Sequence, residues 1–205
     1  MKRLATLAAA LATLAFVAPL AAHHSMGMFD VATPLWVKGT VLRYQPISPH
    51  AIIELEARQQ DGQVQRWTIE GPFPGRLHRI MSFHGVADDA PFFRPGDTIE
   101  VCGFALKTHY TAGRMYPDAE HPGNRFMHGH VVVMPDGHMQ SWGPYGKIEN
   151  CVRPSDTPAS WAAFLNTDPL AREFWCSTHA FANVAANRSQ AFADEIANAM
   201  KQPCK

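Results

Sequence analysis

The side chains best suited to chemistry in this chain are its 11 histidines. Neutral imidazole is the commonest metal ligand. One group is His23 and His24, side by side in PLAAHHSMGMF, with Met26 and Met28 directly after. If His23 is the first residue of a processed chain, its amine and ring nitrogen chelate one metal. A second imidazole then completes a T-shaped, three-nitrogen site. If the chain instead starts at Ala22, the amine, two backbone amides and the His24 ring form a square plane. Nitrogen donors in tetragonal geometry select Cu(II) or Ni(II), and soft thioethers such as Met26 and Met28 select Cu(I). The competing reading is a frayed end carrying two exposed rings.

A second group is His128-Gly129-His130, with His109 and His121 upstream. On a strand, residues i and i+2 share a face, so the pair makes half of a metal site. Its place at a loop-to-strand boundary also fits a solvated His-rich loop. His50 follows Pro49, whose ring fixes φ, at the mouth of a strand. Glu70 in WTIE is either an ordinary surface acid or the outer partner that orients a ligating ring. Trp67, three residues earlier, faces the other way and packs in or against the core. Met115 and Met127 add thioethers to the polar stretch before His128, where a core-filling role is the weaker expectation. No nucleophile elbow, phosphate loop or His-Glu-x-x-His motif occurs.

These groups need a scaffold, and most of the 205 residues supply one. Lys2 and Arg3, an uncharged run from Leu4 to Leu20 and a small-residue ending at Ala21-Ala22 have the pattern of a cleaved export leader. The expected address is periplasmic or secreted, without a stable membrane anchor. Cleavage after Ala22 is favoured over Ala21, because Leu20 suits the −3 position better than Pro19. Two of the 18 basic residues fall in the leader, which leaves a slightly acidic remainder. That balance argues against a nucleic-acid partner. Four cysteines in an exported chain read as disulfides. Three pairings are open, of which Cys102–Cys151 with Cys176–Cys204 staples each half separately.

From Leu35 to Trp142 the pattern is strand-like. WVKGTVLRY and AIIELEARQ alternate, and Asp61-Gly62 marks a hairpin into VQRWTIE. RLHRIMSFHG forms a short helix, Pro95-Gly96-Asp97 a turn, TIEVCGFAL the next strand, and Asp136-Gly137 a last hairpin. Three strands, a helix, then two or three strands is the order of an OB barrel. The fold expected is therefore mainly β, an OB-like barrel or sandwich over residues 23–152 after a leader over 1–22. A long loop, 107–127, interrupts it. Residues 153–205 form a helical extension. There Thr157-Pro158 and Asp168-Pro169 each place a cap before a proline, and Phe192, Ile196 and Met200 recur every fourth residue. Cys176 and Cys204 are placed where a helical hairpin would join them.

AHHSMGMFD after a leader, VKGTVLRYQPISPHAIIELEA, WTIEG, RPGDTIEVCGFA and VVVMPDG together resemble an uncharacterised bacterial exported family, domain of unknown function 6152. The resemblance runs over about residues 22–142. It places His23, His24, His50 and Glu70 in the family pattern and implies a periplasmic, barrel-like domain, with no established activity. Ser48 stands where the family has Asn, and the loop and helical tail have no counterpart in that pattern. The function expected is that of a metal-binding protein for copper, a carrier, buffer or accessory factor, with His23, His24 and His50 as ligands and Met26 or Met28 assisting. A copper redox enzyme would need a flat aromatic face, for which Tyr110, Tyr116 and Trp142 are candidates. A metal-free OB binding module would take its ligand on one face, with the helical tail docking a protein partner.

Overall fold

The computed structural model describes residues 26–59, 61–73, 75–76, 92–107, 125–142, 148–176, 190–202 and 204. A 3₁₀ turn at Met26–Met28 runs straight into β1 (Phe29–Gln45). β2 (Ile52–Arg58), β3 (Val64–Glu70), β4 (Thr98–Leu106), β5 (Arg125–Val133) and β6 (Met139–Ser141) follow. The strand expected from Leu35 starts six residues earlier because β1 serves two neighbours. Its first half pairs with β4, from Phe29 opposite Leu106 to Thr40 opposite Thr98. Its second half pairs with β2, ending at Gln45 opposite Ile52. The Asp-Gly hairpins form as the turn chemistry requires, with Gly62 at φ 83° and Gly137 at φ 88°, a region that costs other residues a Cβ clash.

The strands lie in the order β3-β2-β1-β4-β5, and β5 closes on β3 in parallel. β6 adds to the free side of β5. This closed five-stranded barrel has the OB-like topology that the strand order led us to expect. Inward residues alternate along each strand: Ile53, Leu55 and Ala57 on β2, Trp67 and Ile69 on β3, Ile99 and Val101 on β4 all join one core with Met127, Phe93 and Trp142. Trp67 therefore packs inside, as read from its sequence. The short helix expected over 76–85 lies almost wholly outside the described residues, as do the leader and most of the 107–127 loop. That loop was drawn too long, since Arg125, Phe126 and Met127 already belong to β5. Met127 is fully buried in the core, so its role is packing and not ligation. Trp142 is likewise buried in the core, which removes it as a substrate platform.

Three helices make the tail: α1 (Pro158–Thr167), α2 (Pro169–Trp175) and α3 (Gln190–Ala199). Thr157 closes a capping box with Ser160, ahead of Pro158 at the first turn. Asp168 caps α2 through the Leu170 and Ala171 amides and also accepts from the Ser141 amide of β6, at 2.7 Å. One buried carboxylate thus ties the tail to the barrel. The same junction is pinned covalently by Cys102–Cys151, while Cys176–Cys204 closes the tail on itself. Trp161, Phe164, Trp175, Phe192 and Ile196 then pack on Cys102 and Val131, which face outward from β4 and β5. None of the described helices is long and apolar enough to cross a membrane.

Candidate metal centre

The outer face of the β4–β5 sheet has a second cover, and the histidines lie under it. Phe29, the first residue of β1, forms a small cluster with Phe104 and Phe126, on which Met26, Met28 and Leu106 pack. His128 and His130 stand on this face. They lie inside β5 and not at a loop boundary, and both are buried, at 3% and 0% exposure. The reading of a solvated loop is therefore corrected. The Phe29 ring meets His128 edge-on at 5.4 Å, and Phe104 meets His130 at 4.6 Å.

A bulge aims the pair. Cys102 pairs with Val131 and Gly103 with Gly129, which leaves His130 as the extra residue of β5. Bulges re-aim side chains in this way. Here the result is His128 Nδ1 at 3.1 Å from His130 Nε2. In the neutral pair one ring donates and the other accepts. Gly103 is the residue that lets the strands close at this point: a Cβ there would lie 2.1 Å from the His128 carbonyl oxygen.

His50 and Glu70 join the same face. Ile52 pairs with Glu70 across β2–β3, and Glu70 pairs with His128 across β3–β5. The Ala51–Gly71 and Ala51–Pro72 backbone bonds extend the first of these ladders to the His50 position. His50 Nδ1 lies 3.3 Å from Glu70 Oε1 and 3.2 Å from the Gly71 carbonyl. Both neighbours are acceptors, so Nδ1 carries the proton and Nε2 the lone pair in the neutral ring. His50 is 4% exposed and Glu70 2%. Glu70 is therefore the buried partner of a histidine and not a surface acid. Burial holds the His128 imidazole well below its ordinary value; the His130 and His50 rings push the same way, and a backbone hydrogen bond at Gly129 opposes them. His128 is a neutral nitrogen donor at pH 7.

The structure thus gathers His50, Glu70, His128 and His130, which are far apart in the chain, on one buried face. Met26 and Met28 stand beside them on the aromatic cover. His23, His24, His109, His121, Met115, Tyr110 and Tyr116 lie outside the described residues. Among the described residues, no three His, Cys, Asp or Glu side chains converge as a complete ligand set. Two parts of the site escaped the sequence reading. The bulge at His130 has no local signature. Lys107 anchors the chain start, its amide donating to the Met28 carbonyl and its ammonium to that of Gly27, and an isolated lysine gives no sign of this. Phe29 did have a signal, in the Phe-Asp that follows His-His-Ser.

The family of unknown function DUF6152 matches residues 10–114. That span holds His23, His24, His50 and Glu70 and stops before β5, so it is shorter at its end than the resemblance read from the motifs. No curated protein matches the chain. Among solved structures it is similar to Rim1, a mitochondrial single-stranded DNA-binding protein of S. cerevisiae, at 10% identity and a TM-score of 0.32. The match covers 50% of this chain and 92% of that one.

Proposed function

The chain belongs to the DUF6152 family, and from that premise we propose that it is an exported copper-binding protein, a carrier, buffer or accessory factor and not an enzyme. The observation that carries this reading is the 3.1 Å separation of His128 Nδ1 and His130 Nε2. Two nitrogens each about 2.05 Å from one ion lie about 2.9 Å apart at a right angle and about 3.3 Å apart at a tetrahedral one. The pair is already spaced for an ion between them. Its burial keeps the donors neutral, as a metal requires. Glu70 holds His50 in one tautomer, an arrangement that orients ligating rings elsewhere.

Copper is favoured over zinc by the donor set. Imidazole nitrogen suits Cu(II), and the thioethers of Met26 and Met28, packed on the same aromatic cluster, suit Cu(I). The export leader and the two disulfides set the compartment as the periplasm or exterior. The test is a Cu(II) titration followed by calorimetry and electron paramagnetic resonance, on the parent and on His128→Asn/His130→Asn. The parent is expected to take one Cu(II) with nitrogen hyperfine structure. The variant, checked for folding by near-UV dichroism, is expected to lose that signal. A folded variant with the parent's affinity and spectrum overturns the assignment.

A further inference from the structure

The His128–His130 pair supplies two donors, and a tetragonal copper takes four. We infer that the missing ligands are the chain's own processed start: the α-amine and ring of His23, with the His24 ring in reach as an alternative donor. This inference rests on the reading of His128–His130 as a copper site and names what completes it.

Chain starts are ordinarily untied, but this one is held. The Lys107 amide donates to the Met28 carbonyl at 3.0 Å, and Lys107 Nζ donates to the Gly27 carbonyl at 2.7 Å. Met26 and Met28 pack on Phe29, Phe104 and Phe126. Two of those rings touch the histidines directly, Phe29 on His128 and Phe104 on His130. The anchored turn therefore sits on the lid of the pair. His24 and His23 are two and three residues further back, and three residues span at most about 11 Å. So short a tether confines a terminal amine to the neighbourhood of the pair and gives it a high effective concentration there.

The chemistry depends on cleavage. In the precursor the His23 nitrogen is an amide of Ala22, which is not a basic donor. Hydrolysis of the Ala22–His23 bond by a leader peptidase consumes one water, leaving a carboxylate on Ala22 and an amine on His23. That amine and its own ring close a chelate, and with His128 and His130 they make four nitrogens, the donor set that Cu(II) prefers. Leader removal, which follows export, then switches the site on. A precursor still in the cytoplasm would hold copper only through the buried pair.

The experiment compares three proteins: the chain beginning at His23, the same chain acetylated on that amine, and the unacetylated His128→Asn/His130→Asn variant. Copper affinity is measured by competition with a chelator, and the nitrogen ligands are counted by pulsed electron paramagnetic resonance. Acetylation is expected to weaken Cu(II) binding about a hundredfold and remove one nitrogen signal. If the acetylated chain binds as tightly as the free one while the double variant does not, the terminal ligand is overturned and the His128–His130 site stands. If acetylation abolishes binding and the double variant binds normally, copper sits on the terminal peptide alone and both readings fall. An exported protein whose mass shows a start other than His23 also overturns the inference.

Discussion

Replacing Cys102 and Cys151 together by alanine tests whether barrel and tail are one folding unit. The bond joins positions 49 residues apart. The loop-closure relation assigns a loop of that length about 4 kcal/mol of stabilisation at 25 °C, through the entropy it removes from the unfolded chain. Both cysteines are fully buried, so lost packing adds to that figure. Cys102 faces the tail from β4, and Cys151 ends the 3₁₀ turn at Ile148–Cys151 that leads into the tail. The second bond, across 28 residues, carries about 3.6 kcal/mol by the same relation. The two together approach the whole net stability of an ordinary domain, about 5–15 kcal/mol, so this chain should fold poorly in a reducing compartment. The assay is urea unfolding followed by tryptophan fluorescence and by far-UV dichroism. Trp161 and Trp175 report the tail, and the strands report the barrel. The variant should lose about 4 kcal/mol with both probes moving together, because the two parts share one buried cluster. A loss below about 1 kcal/mol would refute the loop argument. A tail that melts alone, with the barrel midpoint unchanged, would refute the shared unit.

Asp168→Ala leaves the Ser141, Leu170 and Ala171 amides unmatched, and thermal melts should show a loss of about 2–4 kcal/mol, of which Asp168→Asn recovers part. Burial lowers the His128 value in the folded state, so the unfolded chain takes up that proton first. Stability is therefore complete above about pH 6.5 and falls by about 1.4 kcal/mol per unit below it, until the folded value is reached. Urea midpoints of metal-free protein at pH 7.5 and pH 5.5 should show this, and His128→Phe should flatten it. Gly103→Ala drives a Cβ against the His128 carbonyl; with backbone on both sides, it should cost about 3 kcal/mol and weaken copper binding by displacing β5 at the bulge.

Where a feature is settled within a few residues, sequence and structure agree. Asp61-Gly62 and Asp136-Gly137 turn as hairpins because few other dipeptides tolerate the required φ. Thr157 and Asp168 cap because their oxygens reach amides two or three positions on. The misreadings occur where distant chain covers a strand. RFMHGHVVV looks like loop running into strand because its alternation fails. It fails because β5 is buried on both faces, by the core on one side and by Phe29 and the tail on the other. Glu70 looks like a surface acid for the same reason: its neighbours, His50 and His128, reach it only through the β2–β3 and β3–β5 registers. The parallel closure of β5 on β3, which assembles the cluster, leaves no mark in either strand.

The outer face of β4 and β5 supplies its own control. Under the tail it is built from Cys102 and Val131 against Trp161 and Trp175, ordinary apolar packing. A short way along the same strands, under Phe29, the same face carries His128 and His130, with Glu70 on adjoining β3 and His50 behind it. Nothing in the sheet calls for polar groups there, since the tail side shows how the fold covers this face without them. Buried polar and ionisable groups cost several kcal/mol unless matched, and apolar residues of similar volume are often as stable or more so. A cluster kept against that cost is better explained by what it holds than by what it stabilises. Three imidazoles and one carboxylate, shielded from water and beside a tethered chain start, form an environment that is poor for an added proton and good for a cation that takes nitrogen donors. On that argument the protonation of His128 and the occupancy of the site compete for the same lone pairs.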